Sequence, residues 1–294
     1  VKEPKNPLAL RLPLIEEPNP SFQQRTLKMR PKKSLSQNFL IDDDAAGRIV
    51  ESLDLGREDV VLEIGAGKGA LTGHLLNQAK EVVAVEIDGR LCNYLERKFR
   101  GRKNLRIVHG DILKADFTTL FTPPVRCRVV GNLPYKITSP VLDLLLDQKD
   151  RIALCVLMVQ QEVAQRICAN PGSKDWSPLS IAIQLHSQVE ILFHLKPNSF
   201  SPPPRVRSSV IKLAFLSQPR IPLPDENAFF RIVRAAFGHR RKTLLNSLAA
   251  NLHLPKPELE PILHSVGIDP LRRAETLTLS QYADLASALG GQER

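Results

Sequence analysis

The sequence predicts an α/β fold, a mostly parallel sheet with helices on both faces, followed by a small all-helical domain. Three observations predict it. Short runs rich in Val, Ile and Leu recur from about residue 47, helical stretches lie between them, and the strand signal stops after about Ser217. Residues 1–30 contain Pro4, Pro7, Pro13, Pro18 and Pro20 without sustained periodicity and read as an extended or disordered arm. Strand-like runs follow at 60–64, 82–87, 105–108, 127–130 and 152–159, with helices near 70–78, 90–99 and 140–146 between them. Helical stretches at 161–169 and 178–186 precede two late runs, 189–195 and 210–215. The Pro, Asn and Ser residues of 197–204 separate that last pair, which is expected to be antiparallel and to close the far edge of the sheet. Residues 226–250 and 257–290 read as helices. The expected division is therefore an arm at 1–30, an α/β domain at 31–216 and a helical domain at 217–294.

The 294 residues, 43% hydrophobic and 24% charged, suit a soluble chain with a sizeable core. The longest purely apolar run, 152–159, is far short of the roughly 20 residues a membrane helix needs, so a transmembrane reading is excluded. No secretory h-region is present. Forty-one Lys and Arg against thirty-one Asp and Glu give a formal +10, which favours a polyanionic partner such as nucleic acid or an acidic membrane surface. Cys92, Cys127, Cys155 and Cys168 are widely spaced, and His74, His109, His186, His194 and His239 are scattered. Neither a disulfide framework nor a metal site is expected, and the cysteines fit a reducing cytoplasm.

The first strand runs into Glu63-Ile64-Gly65-Ala66-Gly67-Lys68-Gly69. Glycines at alternate positions let a backbone turn sharply and approach a ligand where a Cβ would collide. Alone the pattern is equally a plain tight turn; a strand before it and a helix after it give it meaning. Glu86, closing the next strand, can accept hydrogen bonds from both hydroxyls of a ribose, whereas Asp88 reads as a cap for the helix that follows. Asp111 ends the third strand and can accept from an adenine amine. Gly65, Glu86 and Asp111 should open on one crevice at the carboxyl ends of the strands. An adenosine-containing cofactor follows, either NAD or S-adenosylmethionine. The GxGxG spacing and the carboxylate of Glu63 favour the latter, whose sulfonium and ammonium are cationic where a pyrophosphate is anionic.

The fourth strand ends Asn132-Leu133-Pro134-Tyr135. An exocyclic aromatic amine is a poor nucleophile because its lone pair is delocalised into the ring. Two acceptors on its N–H groups would orient it and favour a tetrahedral nitrogen: the Asn132 side-chain carbonyl and the Leu133 backbone carbonyl, held by Pro134. Tyr135 can stack on the same base. The bland alternative is an Asx-Pro turn with a packed tyrosine.

Lys33-Ser34-Leu35-Ser36-Gln37-Asn38-Phe39-Leu40, the glycine turn, Glu86-Ile87-Asp88, Gly110-Asp111 and Asn132-Leu133-Pro134-Tyr135 together resemble the KsgA/RsmA-type ribosomal RNA adenine dimethyltransferases. The segments Phe200-Ser201-Pro202-Pro203-Pro204-Arg205-Val206-Arg207-Ser208-Ser209-Val210 and Phe237-Gly238-His239-Arg240-Arg241-Lys242-Thr243-Leu244 resemble the same family. The resemblance covers about residues 31–290 and implies a Rossmann-like class I methyltransferase domain with a helical C-terminal domain. It implies transfer of four methyl groups from S-adenosylmethionine to two adjacent adenosines near the 3′ end of 16S rRNA, in an immature small subunit. By motif, Asn38, Leu40, Gly65, Gly67, Glu86, Ile87, Asp111, Ile112 and Asn132 would contact the cofactor. Asn132, Leu133, Pro134 and Tyr135 would carry catalysis. Phe200, on a Pro-stiffened loop feeding an edge strand, is either a second aromatic wall around the target base or a core residue. Ser36 stands where the family has Gly.

Candidate RNA contacts are Arg231 and Arg234, three apart on one helical face, with Arg240, Arg241 and Lys242 after them. Arg205 and Arg207 form another group, and Arg25, Lys28, Arg30, Lys32 and Lys33 a further one in the arm. Lys68 is open between a substrate phosphate and solvent. A monomer is expected. Two alternatives stand beside this reading: a macrolide-resistance enzyme acting on large-subunit rRNA, against which the 237–244 segment argues, and an assembly factor whose catalysis is secondary.

Overall fold

The computed structural model describes residues 31, 32, 35, 37–121, 126–239 and 241–290. The arm 1–30 with Arg25, Lys28 and Arg30, and Lys33, Ser36 and Arg240, lie outside the described residues, whereas Lys32 of that basic cluster is described. Along the chain the elements are β1 (Phe39–Leu40), α1 (Asp43–Glu51), β2 (Val60–Ile64), α2 (Ala70–Leu75), β3 (Glu81–Glu86), α3 (Gly89–Lys98), β4 (Leu105–His109), α4 (Phe117–Leu120), β5 (Cys127–Asn132) and α5 (Thr138–Asp147). They continue with β6 (Ile152–Gln160), α6 (Gln161–Ile167), α7 (Pro178–His186), β7 (Ser187–Leu195), β8 (Phe200–Ser201), β9 (Ser208–Phe215), α8 (Glu226–Phe237), α9 (Leu244–Leu252), α10 (Lys256–Ser265) and α11 (Leu279–Gly290).

The seven-stranded sheet has the order β4-β3-β2-β5-β6-β9-β7. The β4 to β6 part is parallel, while β9 runs antiparallel to both β6 and β7. Both faces are covered, which is why the strands read as continuous apolar runs. Val60, Leu62 and Ile64 of β2 pack into a core with Val129, Leu142 and Leu145. Val61, one residue out of phase, packs on the other face with Ile49, Val50, Leu71 and Leu75. Helix starts are set by side-chain caps. Asp42 accepts from the Ala45 N–H, Asp88 from Arg90, Asp225 from Asn227 and Ala228, and Ser177 and Ser180 form a capping box with Pro178 inside the first turn.

The antiparallel pairing of the two late strands is as expected, but the strand after the Pro-rich loop is not at the edge. β9 lies between β6 and β7, and β7 takes the edge. The prolines tolerate this because they precede the ladder, which begins at Ser208. The two long C-terminal helical stretches are each broken. The first stops at Gly238 and restarts under the Thr243 cap. The second ends near Gly267, which takes a positive φ of 69°, before the chain turns through Asp269 and Pro270. The short pairing of Phe39–Leu40 with Phe200–Ser201, and the start of α1 at Asp43, had no periodicity long enough to be read. The C-terminal helices have their own core around Phe229, Val233, Leu248, Leu263 and Tyr282, completed by Trp176, Ile181 and Leu185 from the α/β part. There the Trp176 Nε1–H donates to the Leu277 carbonyl at 3.0 Å.

The functional end of the sheet depends on a close approach. Gly131 pairs with Ile64, and a Cβ at 131 would lie 2.7 Å from the Ile64 carbonyl oxygen. Only glycine lets β5 lie this close to β2, so that Asn132 comes out beside Gly65.

Candidate active site

β2 ends in a turn where Gly65, Gly67 and Gly69 all take left-handed φ, 71°, 58° and 73°. Each does something different. Nothing lies within 4 Å of a Cβ built at Gly65, the face it turns to the cleft. At Gly67 a Cβ would press on the Phe39 ring at 3.2 Å, and at Gly69 it would strike Phe99 at 2.6 Å and Leu95 at 2.9 Å. The Lys98 ammonium braces the turn by donating to the Lys68 carbonyl at 2.8 Å and to that of Gly69 at 3.3 Å.

The turn forms one wall of an open cleft at the carboxyl ends of the parallel strands. The cleft brings together Asn38, Leu40, Gly65, Gly67, Glu86, Ile87, Asp111, Ile112, Asn132, Leu133, Pro134 and Tyr135. Glu86 is buried and fixed: its Oε2 accepts the Gly67 N–H and its Oε1 the Asp88 N–H, both at 2.9 Å. Asp111 accepts the Leu113 N–H at 3.1 Å, while Ile87 is 47% exposed and Ile112 is buried. Asp88 is the expected cap. Glu63 lies at the bottom of the cleft, wholly buried, and accepts the Thr72 hydroxyl at 2.7 Å. Loss of water pushes its pKa up to about 7, the nearby Glu86 carboxylate adds to the rise, and Thr72 opposes it.

Asn132 Nδ2 donates to the Asn38 carbonyl at 2.8 Å. The Pro134 carbonyl accepts the Ile137 N–H at 3.0 Å and the Thr138 hydroxyl at 3.3 Å, so the turn is built on that oxygen rather than on Leu133's. The Leu133 N–H is tied to the Met158 carbonyl at 3.1 Å. Tyr135 is half-buried with its hydroxyl 3.0 Å from Ser208 Oγ.

Phe200 is not brought to this cleft. Its side chain is 3% exposed and packs with Leu40, Met158, Leu195 and Val210, because its backbone pairs with Leu40 and its ring is thereby turned into the core. Of the two readings of this residue the packed one describes the structure. Lys68 lines the cleft half-buried, its ammonium 5.0 Å from the centre of the Phe39 ring, and burial lowers its pKa. Arg231 and Arg234 are exposed on α8, with Ile232, Val233 and Ala236 buried behind them. Arg241 and Lys242 are exposed in the turn before α9. Arg205 and Arg207 are exposed, and Arg207 adjoins Ser208, the partner of Tyr135, at the mouth of the cleft. The sequence reading did not single out Gly131, Lys98, or the role of Lys32 and Gln37 at Asp88; the small residue just before Asn132 was the one signal available.

The cleft fits an adenosyl cofactor with positive charge. Glu63, Glu86 and Asp111 give it three carboxylates, an arrangement that suits a sulfonium and an ammonium and repels a pyrophosphate. A sheet of this order, with such a cleft beside an Asn-Leu-Pro-Tyr strand end, defines an S-adenosylmethionine-dependent methyltransferase of class I. Comparison narrows the class: the model of the ribosomal RNA adenine dimethylase family matches residues 28–289, and the chain belongs to that family. It is 44% identical over 265 residues to Ribosomal RNA small subunit methyltransferase A of Bacillus mycoides, covering 88% of this chain and 91% of that protein. Among solved structures it is similar to a dimethyladenosine transferase from Plasmodium falciparum (TM-score 0.74, 26% identity, 86% of this chain and 98% of that one). It is also similar to the 23S rRNA methyltransferase ErmE (TM-score 0.68, 28% identity, 86% of this chain and 100% of that one). Among the described residues no helix is long and apolar enough to cross a membrane.

The buried Glu63 has a measurable consequence. Its folded pKa of about 7 lies above the ordinary 4.5, so the folded state holds the proton more tightly than the unfolded one. Relative to a Glu63→Gln variant, the ligand-free protein should be at its most stable below about pH 4.5 and should lose that advantage as pH rises to about 7. A shift of this size amounts to ~3 kcal/mol. Denaturant melts of both proteins from below pH 4.5 to above pH 7 should show the wild type losing stability relative to the variant as pH rises and the change levelling off above about pH 7; a pH-independent difference would contradict the burial of an ionisable carboxyl.

Proposed function

We propose that this chain dimethylates the N6 amines of two adjacent adenosines near the 3′ end of 16S rRNA, on an immature small ribosomal subunit in the cytoplasm. The observation that carries the chemistry is the Asn132 amide, set at the end of β5 with its Nδ2 committed to the Asn38 carbonyl. That commitment leaves Oδ1 as an acceptor for an amine. The small-subunit choice rests on the relative at 44% identity, against 28% for the large-subunit enzyme ErmE.

When bound, S-adenosylmethionine supplies an electrophilic methyl group on a sulfonium, an excellent leaving group. The protein's part is to hold and to aim. Glu86 would hold the ribose hydroxyls with a carboxylate already oriented by two backbone N–H groups. Asp111 and the apolar Ile87 and Ile112 would hold the cofactor's adenine, and Glu63 would supply negative charge at the floor of the cleft. Asn132 Oδ1 and the Leu133 carbonyl accept the two N–H groups of the target adenine, localising the lone pair on nitrogen and pointing it across the cleft. The Tyr135 ring, steadied by Ser208, stacks on the base. No strong base is needed, because the nitrogen loses its proton to solvent after the methyl group has arrived. Arg205, Arg207, Arg231, Arg234, Arg241 and Lys242, with Arg240 outside the described residues, would meet phosphates and place a folded RNA without reading its sequence.

Incubating the protein and S-adenosylmethionine with methyl-deficient small subunits, then analysing the rRNA by mass spectrometry, should show two dimethylated adenosines near the 16S 3′ end. An Asn132→Ala variant should fold, bind the cofactor and lose on the order of a hundredfold or more in rate. Methyl groups placed on 23S rRNA alone, or full activity in that variant, would overturn the reading. Replacing Arg234, Arg241 and Lys242 by Ala should weaken RNA binding and reduce the steepness of its salt dependence by roughly 0.7–0.9 per lost phosphate contact. An unchanged slope would remove these residues from the RNA surface.

A further inference from the structure

Leu35 and residues 37–40 line the cleft and, with Lys32 before them and Ile41 and Asp42 after, form a strap fixed at both ends. At the far end Phe39 and Leu40 pair with Ser201 and Phe200, the Ile41 N–H donates to the Ser199 carbonyl at 2.9 Å, and the Ser199 hydroxyl donates to Asp42 at 2.8 Å. At the near end Lys32 Nζ lies 3.1 Å from Asp88 Oδ1, and Gln37 Nε2 donates to Asp88 Oδ2 at 3.5 Å. The Gln37 Oε1 in turn accepts the Lys32 main-chain N–H at 2.8 Å. The Asp88 side chain is only 1% exposed, and Arg90 donates to both of its oxygens, at 3.0 and 2.6 Å. Those Arg90 bonds first, and the Lys32 bond with them, hold its carboxyl well below the usual carboxylate range.

Asn38 lies between the two anchors, and its carbonyl is the acceptor of Asn132 Nδ2. A main-chain carbonyl can only accept, so it selects one of the two orientations of a side-chain amide. Reversed, Asn132 would set oxygen against oxygen at the 2.8 Å contact. Without this carbonyl both orientations are open, and the reversed one presents an NH₂ to the NH₂ of the target base.

We infer that Lys32 and Gln37 are positioning residues: by latching the strap to Asp88 they keep the Asn38 carbonyl against Asn132 and so decide which atom of its amide faces the adenine, an inference that rests on the methyl-transfer reading above. The latch is joined to the cofactor site as well, because the Asp88 N–H donates to Glu86 Oε1 at 2.9 Å and Leu35, Gln37, Asn38 and Phe39 line the same cleft. The residues that line this wall of the cleft and the carbonyl that aims the amide are thus held by one arrangement of the chain.

The test compares full-length wild type, a Lys32→Ala/Gln37→Ala double variant and Lys32→Arg. At saturating S-adenosylmethionine and rRNA, the single-turnover rate of the double variant should fall about fivefold, the scale of losing one half-exposed ion pair from a two-state latch. Its rRNA Kd should be unchanged, and Lys32→Arg should retain the wild-type rate. In the ligand-free proteins, the ¹⁵NH₂ pair of Asn132 should show one proton shifted by its hydrogen bond in wild type and Lys32→Arg, and that shift moved toward the free-amide value in the double variant. A wild-type rate in the double variant at saturation, a loss traced wholly to rRNA affinity or cofactor KM, or an unchanged Asn132 signal overturns the inference. A wild-type chain that transfers no methyl group overturns the methyl-transfer reading instead, and leaves the amide signal to judge the latch.

Discussion

The structure depends on a contact that permits a hydrogen and nothing larger. Where Gly131 passes the Ile64 carbonyl, β5 and β2 run side by side to their ends and release two different loops at one level. One loop is the glycine turn and the other is Asn132-Leu133-Pro134-Tyr135, so the two loops proposed to hold the methyl donor and the target base line one cleft. These two strands are also where the sheet order reverses direction from the β4 side to the β6 side, the place where parallel sheets open a crevice. A Cβ at position 131 would force the loops apart, and distance is the quantity on which transfer between two bound molecules depends.

Within that crevice the protein mostly prevents its polar groups from choosing other partners. Glu86 is held by two backbone N–H groups, Asn132 by the Asn38 carbonyl and Tyr135 by Ser208. The bond to Asn132 uses the donor side of its amide and leaves the acceptor side, the bond to Tyr135 fixes the hydroxyl and leaves the ring face, and the two N–H groups on Glu86 fix a carboxylate whose oxygens keep further lone pairs. Glu63 is the costly member, a carboxyl stripped of water and raised to about 7. Its burial is tolerable in a site whose intended occupant is a cation, because positive charge nearby returns the carboxylate to its ionised form.

Much of this was legible in the sequence, for reasons specific to each part. The seven strands were visible because a sheet buried on both faces demands unbroken apolar runs, and the strand 60–64 was read to the residue. The cleft residues were visible because glycine at alternate positions and an acid at a strand end are local patterns. The strap was not, since β1 and β8 are two residues each and gain their stability from one another across 160 positions of sequence. The same pairing turned Phe200 into the core, which the composition of its loop could not reveal. The placement of β9 inside the sheet was likewise a matter of long-range order, because a strand's alternation is the same whether it has one neighbour or two. Asn38 and Leu40 were named by resemblance alone; the reason Asn38 matters, a backbone oxygen, carries no side-chain signature at all.

Methyl transfer here turns on where one nitrogen sits, and a crystal structure of the protein with S-adenosylhomocysteine and adenosine bound would measure that position. The adenosine N6 should lie within hydrogen-bonding distance, about 3 Å, of both Asn132 Oδ1 and the Leu133 carbonyl, with Asn132 Nδ2 still on the Asn38 carbonyl. An adenosine whose N6 meets Asn132 Nδ2, or lies away from residue 132 altogether, would contradict it.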